Sequence, residues 1–223
     1  MNALILALLI GTICFLNGCK HEECEPLPSL DYCERYISCY MTPNALAMRE
    51  FEDADPMCVN LSFSGDLIRS DEKAYDELSA RYGDLSFNGY TQAIPRKAVN
   101  DSINRIEVKS VARFDAEHPA GSDVSEFVEL QYVSYYDFIA SGYGEVDKGE
   151  LREWGNLDKY HGLDGAAFHK KALPEIRASD TKLMETDFLL KFNKMPENSG
   201  TYQFELVFHL GEKKICTTVE CTF

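Results

Sequence analysis

The sequence has few basic residues for its length. It contains 22 Lys and Arg against 37 Asp and Glu, which gives a formal net charge of −15 at pH 7. Binding to nucleic acid depends on clustered Lys and Arg that neutralise phosphates. The charge balance therefore argues against a nucleic-acid partner, and it favours solubility in a crowded environment.

The sequence also lacks the short signatures of common enzyme classes. It contains no GxSxG, HExxH, P-loop or dinucleotide-binding motif. The nearest approach to a nucleophile elbow is Ala120–Asp123, which lacks the flanking glycines, and the neighbouring His118 lies in a turn rich in Pro and Gly. No two cysteines have CxxC spacing, so a structural zinc site is not expected. We therefore predict no catalytic residue, no metal and no cofactor.

Long apolar runs are absent except at the N-terminus. Ala3 to Leu16 is almost unbroken apolar sequence without a charged side chain. Its length of about 14 residues is short of the about 20 that a membrane-spanning helix needs, and it matches the apolar region of a secretory signal peptide. We predict a signal peptide over residues 1–18.

The residues that end this stretch, Leu16-Asn17-Gly18-Cys19, resemble the lipobox of bacterial lipoproteins. That resemblance implies that Cys19 carries a lipid, becomes the first residue of the mature chain and makes the membrane a partner. Several acyl chains on one cysteine would hold firmly, whereas one chain holds only marginally.

The short acidic segment after Cys19, which contains Glu22 and Glu23, resembles the surface-export tag of lipoproteins from the Bacteroidota. Small uncharacterised surface lipoproteins of that type are the family that the whole chain resembles. The resemblance implies an outer-membrane location with the chain exposed at the cell surface. A lipid anchor facing the periplasm is the alternative.

Cysteine usage also points to export. Of the eight cysteines, Cys14 lies in the predicted signal peptide and Cys19 is the lipidation site. An even set in an oxidising compartment predicts up to three disulfides, with fifteen possible connectivities. A regular strand would hold Cys216 and Cys221 roughly 16 Å apart, too far to bond each other, so we expect them to reach the N-terminal group. The disulfide candidates are Cys24, Cys33, Cys39, Cys58, Cys216 and Cys221.

Alternating apolar and polar residues predict strands along much of the chain. The clearest case is the C-terminal hairpin, in which Gly200–Phe208 alternates and Ile215–Phe223 returns after a turn at Gly211. This hairpin resembles the final two strands of immunoglobulin-like sandwiches. Ser70–Tyr82 predicts a helix that begins at a Ser70 cap, and Phe127–Ile139 is either a long strand or a strand passing into a helix.

These patterns predict a mainly β fold, an immunoglobulin-like or related antiparallel β-sandwich with one or two short helices and a disulfide-stapled N-terminal segment. Residues 19–40 are expected to form a tether and a Cys-rich entry segment. Residues 41–223 are expected to form a single β-rich domain.

Aromatic residues supply the only candidate binding residues. They concentrate between positions 132 and 160, where a buried position would make them core and an exposed position would let them stack on a ligand. Trp154, Tyr160 and His161 lie in a polar, glycine-containing segment over residues 143–165, which we predict to be a contact loop.

Two functions of different classes remain open from the sequence. The first is a non-enzymatic surface binding or structural module that recognises an extracellular protein or glycan. The alternative is a small secreted hydrolase or glycan-processing enzyme whose carboxylates come together only in the fold. A cleft with two convergent carboxylates about 5–9 Å apart would favour the enzyme.

Overall fold

The computed structural model describes residues 32–49, 55–90, 95–149, 155–160 and 163–223. Cys19, Cys24, Trp154, His161 and the predicted signal peptide lie outside the described residues. Within them are eleven strands, two α-helices and three 3₁₀ helices. The strands are β1 (Tyr32–Cys33), β2 (Cys39–Met48), β3 (Cys58–Ile68), β4 (Gly89–Tyr90), β5 (Lys97–Val99), β6 (Ile103–Ser110), β7 (Val128–Ser134), β8 (Ala167–Ala172), β9 (Met184–Phe192), β10 (Thr201–Leu210) and β11 (Lys213–Thr222). The helices are α1 (Lys73–Tyr82) and α2 (Tyr136–Ala140), and the 3₁₀ helices are Ser125–Phe127, Gly155–Tyr160 and Leu173–Glu175.

Most strands belong to two sheets that form a sandwich. The larger sheet has the order β5-β2-β3-β9-β7-β8 and is antiparallel except for the β5–β2 pair. The smaller sheet has the order β11-β10-β6 and is antiparallel throughout. A third, two-stranded sheet pairs β1 with β4. The mainly β sandwich with short helices that the alternation predicted is confirmed.

The C-terminal hairpin forms where the sequence predicted it. β10 and β11 pair without interruption from Thr201–Thr222 to Leu210–Lys213, and Gly211 turns the chain with φ 58°. Alternate residues of β10 are buried, because a strand that faces a core on one side and water on the other has a period of two.

The main core fills the space between the two sheets. It contains Phe63 and Phe188 from the large sheet and Phe204 and Phe208 from the small one. Phe63 packs edge-on against Phe208 with ring centroids 5.6 Å apart, and Phe192 lies 4.7 Å from Phe204. Such aromatic pairs contribute about 0.5–1.5 kcal/mol beyond their buried area.

A second core covers the opposite face of the large sheet. Here residues of α1 and α2, together with Leu157, Tyr160, Leu163 and Ala166, pack against residues of the sheet such as Val133 and Leu189. The large sheet is therefore buried on both faces, and its central strand β9 has eight of nine residues buried. No helix among the described residues is long and apolar enough to cross a membrane.

Helix α1 differs from its prediction at the start and agrees at the end. Its N-cap is Glu72, which makes no side-chain capping bond, so Ser70 does not cap the helix. Gly83 ends it in the left-handed conformation, with φ 78°, and its N–H bonds to the last turn. Phe127–Ile139 is divided between β7 and α2, which agrees with a strand passing into a helix.

The N-terminal segment enters the fold earlier than residue 41. Tyr36 and Ile37 are fully buried, and β2 begins at Cys39. The carboxylate of Asp84 holds this segment, because its two oxygens accept the backbone N–H groups of Tyr36 and Ile37 at 2.7 and 2.9 Å. A buried carboxylate therefore secures the entry segment.

The expected disulfide staple is not present among the described residues. No disulfide joins any two of Cys33, Cys39, Cys58, Cys216 and Cys221. Cys216 and Cys221 lie on the regular strand β11, and Cys216 is exposed whereas Cys221 points into the core. The expectation that both reach an N-terminal cysteine is therefore not confirmed among the described cysteines, and Cys24 lies outside them.

The two cysteines of β11 should differ sharply in reactivity. We expect a thiol reagent, added to native protein without reductant, to modify Cys216 at once. Cys221 should react only on unfolding, because it is buried and burial raises its pKa to about 12. Peptide mapping by mass spectrometry reads out both sites, and Cys216→Ser should abolish the rapid reaction. A Cys216 that reacts only after reduction would contradict the assignment and indicate a disulfide.

Candidate functional site

Two acidic side chains lie on the buried central strand β9. Glu185 and Asp187 are two residues apart and so point to the same face of the sheet, toward the helical layer. Glu185 is 1% exposed and Asp187 is 6% exposed. Carboxyl groups are rarely buried unless they are paired or hydrogen-bonded, so the contacts of these two decide what the site can do.

Glu185 is held by neutral hydrogen-bond donors. Its Oε2 accepts from the hydroxyl of Tyr135 at 2.6 Å, and its Oε1 accepts from the backbone N–H and the hydroxyl of Thr186 at 2.9 and 3.0 Å. Burial raises the pKa of Glu185, and the nearby Asp187 adds to the rise, while the hydrogen bonds partly oppose it. The site therefore favours the protonated, uncharged form of this carboxyl.

Asp187 has the opposite environment. Burial by itself would raise its pKa, but hydrogen bonds from Lys159 and Ser62 and the nearby Lys159 charge outweigh burial and lower it. The side chain of Lys159 is 49% exposed whereas that of Asp187 is 9% exposed, so the lysine reaches inward from the surface. Asp187 is therefore an ionised carboxylate neutralised by a partly exposed ammonium group.

Tyr160 connects the two carboxyl groups. Its hydroxyl donates to Asp187 Oδ2 at 2.9 Å and also contacts Glu185. Burial and the two neighbouring carboxyl groups raise the pKa of Tyr160 far above its usual value. The phenol stays protonated and lies between two carboxyl groups whose pKa values are shifted in opposite directions, although they are close in sequence.

A groove opens beside Asp187, with a cavity volume of about 560 Å³. We call it the Asp187 groove. Its wall combines a carboxylate, three basic side chains, three hydroxyl groups and apolar surface. The lining residues are Met41, Arg49, Ser62, Phe63, Ser64, Gly65, Leu67, Lys97, Lys159, Thr186 and Asp187.

An irregularity between β2 and β3 shapes one wall of the groove. The pairing register shifts between Pro43 and Ala45, opposite Gly65 and Ser64. A Cβ added at Gly65 would lie 2.0 Å from the carbonyl oxygen of Thr42, so only glycine fits at this point. The bulge and the close approach of the two strands thus form part of the groove wall.

Tyr160 is the only described member of the three predicted binding residues. It is 2% exposed, and its ring lies in the second core. Its hydroxyl bonds to Asp187, and the ammonium group of Lys159 lies over its ring, 4.9 Å from the ring centroid. Trp154 and His161 lie outside the described residues, so the structure does not place them relative to Tyr160.

His118 lies in an ion-pair cluster and not in a catalytic pair. Its Nδ1 is 2.7 Å from Asp115, and its Nε2 is 3.4 Å from Glu126. The hydrogen bond to Asp115 raises the pKa of His118. Asp115, Glu117 and His118 are close enough to ligate an ion together. However, the ammonium group of Lys194 donates to Asp115 at 2.7 Å and neutralises its charge, so these residues do not need a metal ion.

The sequence alone did not identify Glu185 and Asp187 as site residues. The signal was present in the segment METDFLLKF, where Glu185 and Asp187 alternate with residues of an otherwise apolar strand. An alternating pattern alone would place them on a solvated face. Only the second core, which comes from distant segments, buries that face.

Comparison of the chain with protein-family models, with curated proteins and with solved structures found no match. The function of the Asp187 groove must therefore be argued from its own geometry.

The pKa of Glu185 predicts a pH-dependent stability. A carboxyl whose pKa is raised on folding stabilises the native state below its ordinary value of 4.5, and this contribution is lost as the pH rises through the folded-state value. Glu185→Gln is uncharged at every pH. We expect the thermal midpoint of the wild type to fall relative to Glu185→Gln as the pH is raised from about 4 to about 9.

Two further variants separate charge from packing. Glu185→Ala leaves the Tyr135 hydroxyl and the Thr186 amide without their acceptor, which should cost about 1–3 kcal/mol across the pH range. Glu205→Gln makes the same change at an exposed position of β10 and should not reproduce the pH-dependent difference. A difference in thermal midpoint between wild type and Glu185→Gln that stays the same at all pH values would contradict a raised pKa of Glu185.

Proposed function

We propose that this chain is a lipid-anchored, exported binding module without enzymatic activity, and that the Asp187 groove binds a segment of an extracellular glycan. The membrane anchor would be the lipid on Cys19, with the folded domain exposed at the cell surface. The groove lies on the domain and not on the anchor, so ligand binding and anchoring would be separable functions.

The composition of the groove wall carries the ligand assignment. Asp187 and Lys159 offer charged acceptors and donors, and Ser62, Ser64 and Thr186 add hydroxyl groups. Met41, Phe63 and Leu67 supply apolar surface in the same cavity. Sugars present hydroxyl groups around an apolar ring face, so a wall that alternates polar groups with apolar surface fits them. A few placed polar groups on apolar walls are also the usual composition of ligand sites.

The placement of the two carboxyl groups favours binding over hydrolysis. A glycosidase needs two carboxyl groups that both face the scissile bond from the same cleft. Here Asp187 lines the groove, but its charge is neutralised by Lys159. Glu185 lies behind the groove wall, fully buried and enclosed by Tyr135 and Thr186. Among the described residues, a substrate in the groove would reach one carboxylate, already paired, and no second acid.

Lys97 provides the cleanest test of the groove. It lines the cavity and forms no ion pair with a described residue, so its removal leaves no buried charge behind. We expect the wild type to bind selected oligosaccharides on a glycan array and Lys97→Met to bind them about tenfold more weakly, a change of about 1.4 kcal/mol by titration calorimetry.

Lys214→Met is the matched control, because it removes the same charge from an exposed position on β11. It should bind as the wild type does. The double variant Lys159→Met with Asp187→Asn removes the ion pair without stranding either charge and should also bind weakly. Binding of peptides but not of glycans would show that the ligand is a peptide. Equal glycan binding by wild type and Lys97→Met would show that the Asp187 groove is not the binding site.

The anchor is tested separately. Expressed with its signal peptide in a lipoprotein-processing host, the wild type should partition into membranes with a lipid-sized mass increment. Cys19→Ala should lose both, because the thiol is the acylation site. Protease treatment of whole cells distinguishes surface exposure, which predicts cleavage, from a periplasm-facing anchor, which predicts protection. A soluble, unmodified wild type would contradict the lipid anchor while leaving the groove unaffected.

A further inference from the structure

A second cavity lies at the ends of the two α-helices, on the side of the large sheet that the helices cover. Its volume is about 600 Å³. Arg81 and Tyr82 from the last turn of α1 line it together with Tyr136 of α2, and Lys182 and Ser102 complete the polar part of the wall. We call it the helix-end cavity. It shares no lining residue with the Asp187 groove.

The helix-end cavity is cationic in an acidic protein. Its described lining residues include two basic side chains, Arg81 and Lys182, and no carboxylate. Neither basic residue forms an ion pair with another residue in the described part of the chain, although acidic residues outnumber basic ones by 37 to 22. Two cations facing one cavity repel each other, and an anion between them would relieve that repulsion.

Lys182 is fixed in position by its neighbours. The hydroxyl of Thr181 bonds to both the N–H and the carbonyl of Ile103, at 2.7 and 2.9 Å. The carbonyl oxygen of Lys182 accepts from the hydroxyl of Ser134 at 2.8 Å. The ammonium group lies 4.6 Å above the ring of Tyr136 and 3.4 Å from its hydroxyl oxygen. The lysine is therefore held on both sides of its backbone and at its tip.

Backbone strain coincides with the cavity. Within the described ranges, Leu183 and Tyr143 are the two non-glycine residues with positive φ, at 48° and 64°. Leu183 follows Lys182, and Tyr143 follows Gly142, which also lines the cavity. Leu183 is fully buried, and the Tyr143 hydroxyl bonds to Asp84 at 2.9 Å. Surrounding contacts thus hold both residues in an unfavourable conformation, as happens where a site must be preorganised.

We propose that the helix-end cavity is a binding site for an oxyanion, either a carboxylate or a phosphate group on a small ligand. The guanidinium of Arg81 can bond two oxygens of such a group at once, and Lys182 adds a point charge. The hydroxyl oxygen of Tyr136 accepts a hydrogen bond from the ammonium group of Lys182. The hydroxyl proton of Tyr136 is therefore free to donate to a ligand in the cavity. Ser102 offers another hydroxyl donor.

The test is titration of the whole chain with two probes, sodium glucuronate and inorganic phosphate, followed by calorimetry and by backbone amide NMR shifts. We expect saturable binding of at least one probe, with the largest shifts around Arg81, Ser102 and Lys182. Tighter binding of glucuronate identifies a carboxylate ligand, and tighter binding of phosphate identifies a phosphorylated one.

Lys182→Met and Arg81→Met should each weaken binding at least tenfold. Arg81 is exposed on the surface of α1, so its replacement does not endanger the fold. Lys214→Met again removes one positive charge elsewhere and should bind as the wild type does, and Lys97→Met should also leave this site unchanged. The absence of saturable binding to both probes, or binding by Arg81→Met equal to that of the wild type, would overturn the proposal.

Discussion

Burial of β9 on both faces is the constraint on which the arrangement of this protein depends. A strand in that position normally carries apolar residues on both sides, because no water reaches its polar groups. This strand instead directs Glu185 and Asp187 into the second core. Each carboxyl must therefore be satisfied by protein donors, and the layer that covers this face has to supply Tyr135, Lys159 and Tyr160 at the right positions.

The two carboxyl groups meet that requirement in different ways. Glu185 is satisfied by neutral donors and is favoured in its protonated form. Asp187 keeps its charge because Lys159 reaches it from the surface. Asp187 is the carboxyl group that borders the groove, and it is paired with Lys159. The groove therefore presents an ion pair to a ligand and not an unpaired acid. A ligand there meets fixed hydrogen-bonding groups, which suits recognition.

The two cavities present different polar groups. The Asp187 groove mixes both signs of charge with hydroxyl groups and apolar surface. The charged groups among the described lining residues of the helix-end cavity are the basic side chains of Arg81 and Lys182, and the strained residues Leu183 and Tyr143 lie next to the cavity. The segment from Thr181 to Asp187 links them, because it carries Lys182 to one cavity and Asp187 to the other. One short segment therefore supplies a charged side chain to each of the two cavities.

The sequence by itself determined the strands of the C-terminal hairpin, the end of α1 at Gly83 and the mainly β class, because alternation and glycine at a helix end act over a few neighbouring residues. It did not determine which face of β9 is buried, since that depends on segments far away in the chain. The disulfide pairing expected for Cys216 and Cys221 is not confirmed among the described cysteines. Tertiary structure alone decided that the pKa of Glu185 is raised, since a carboxyl group responds to the water and charges that surround it in the fold.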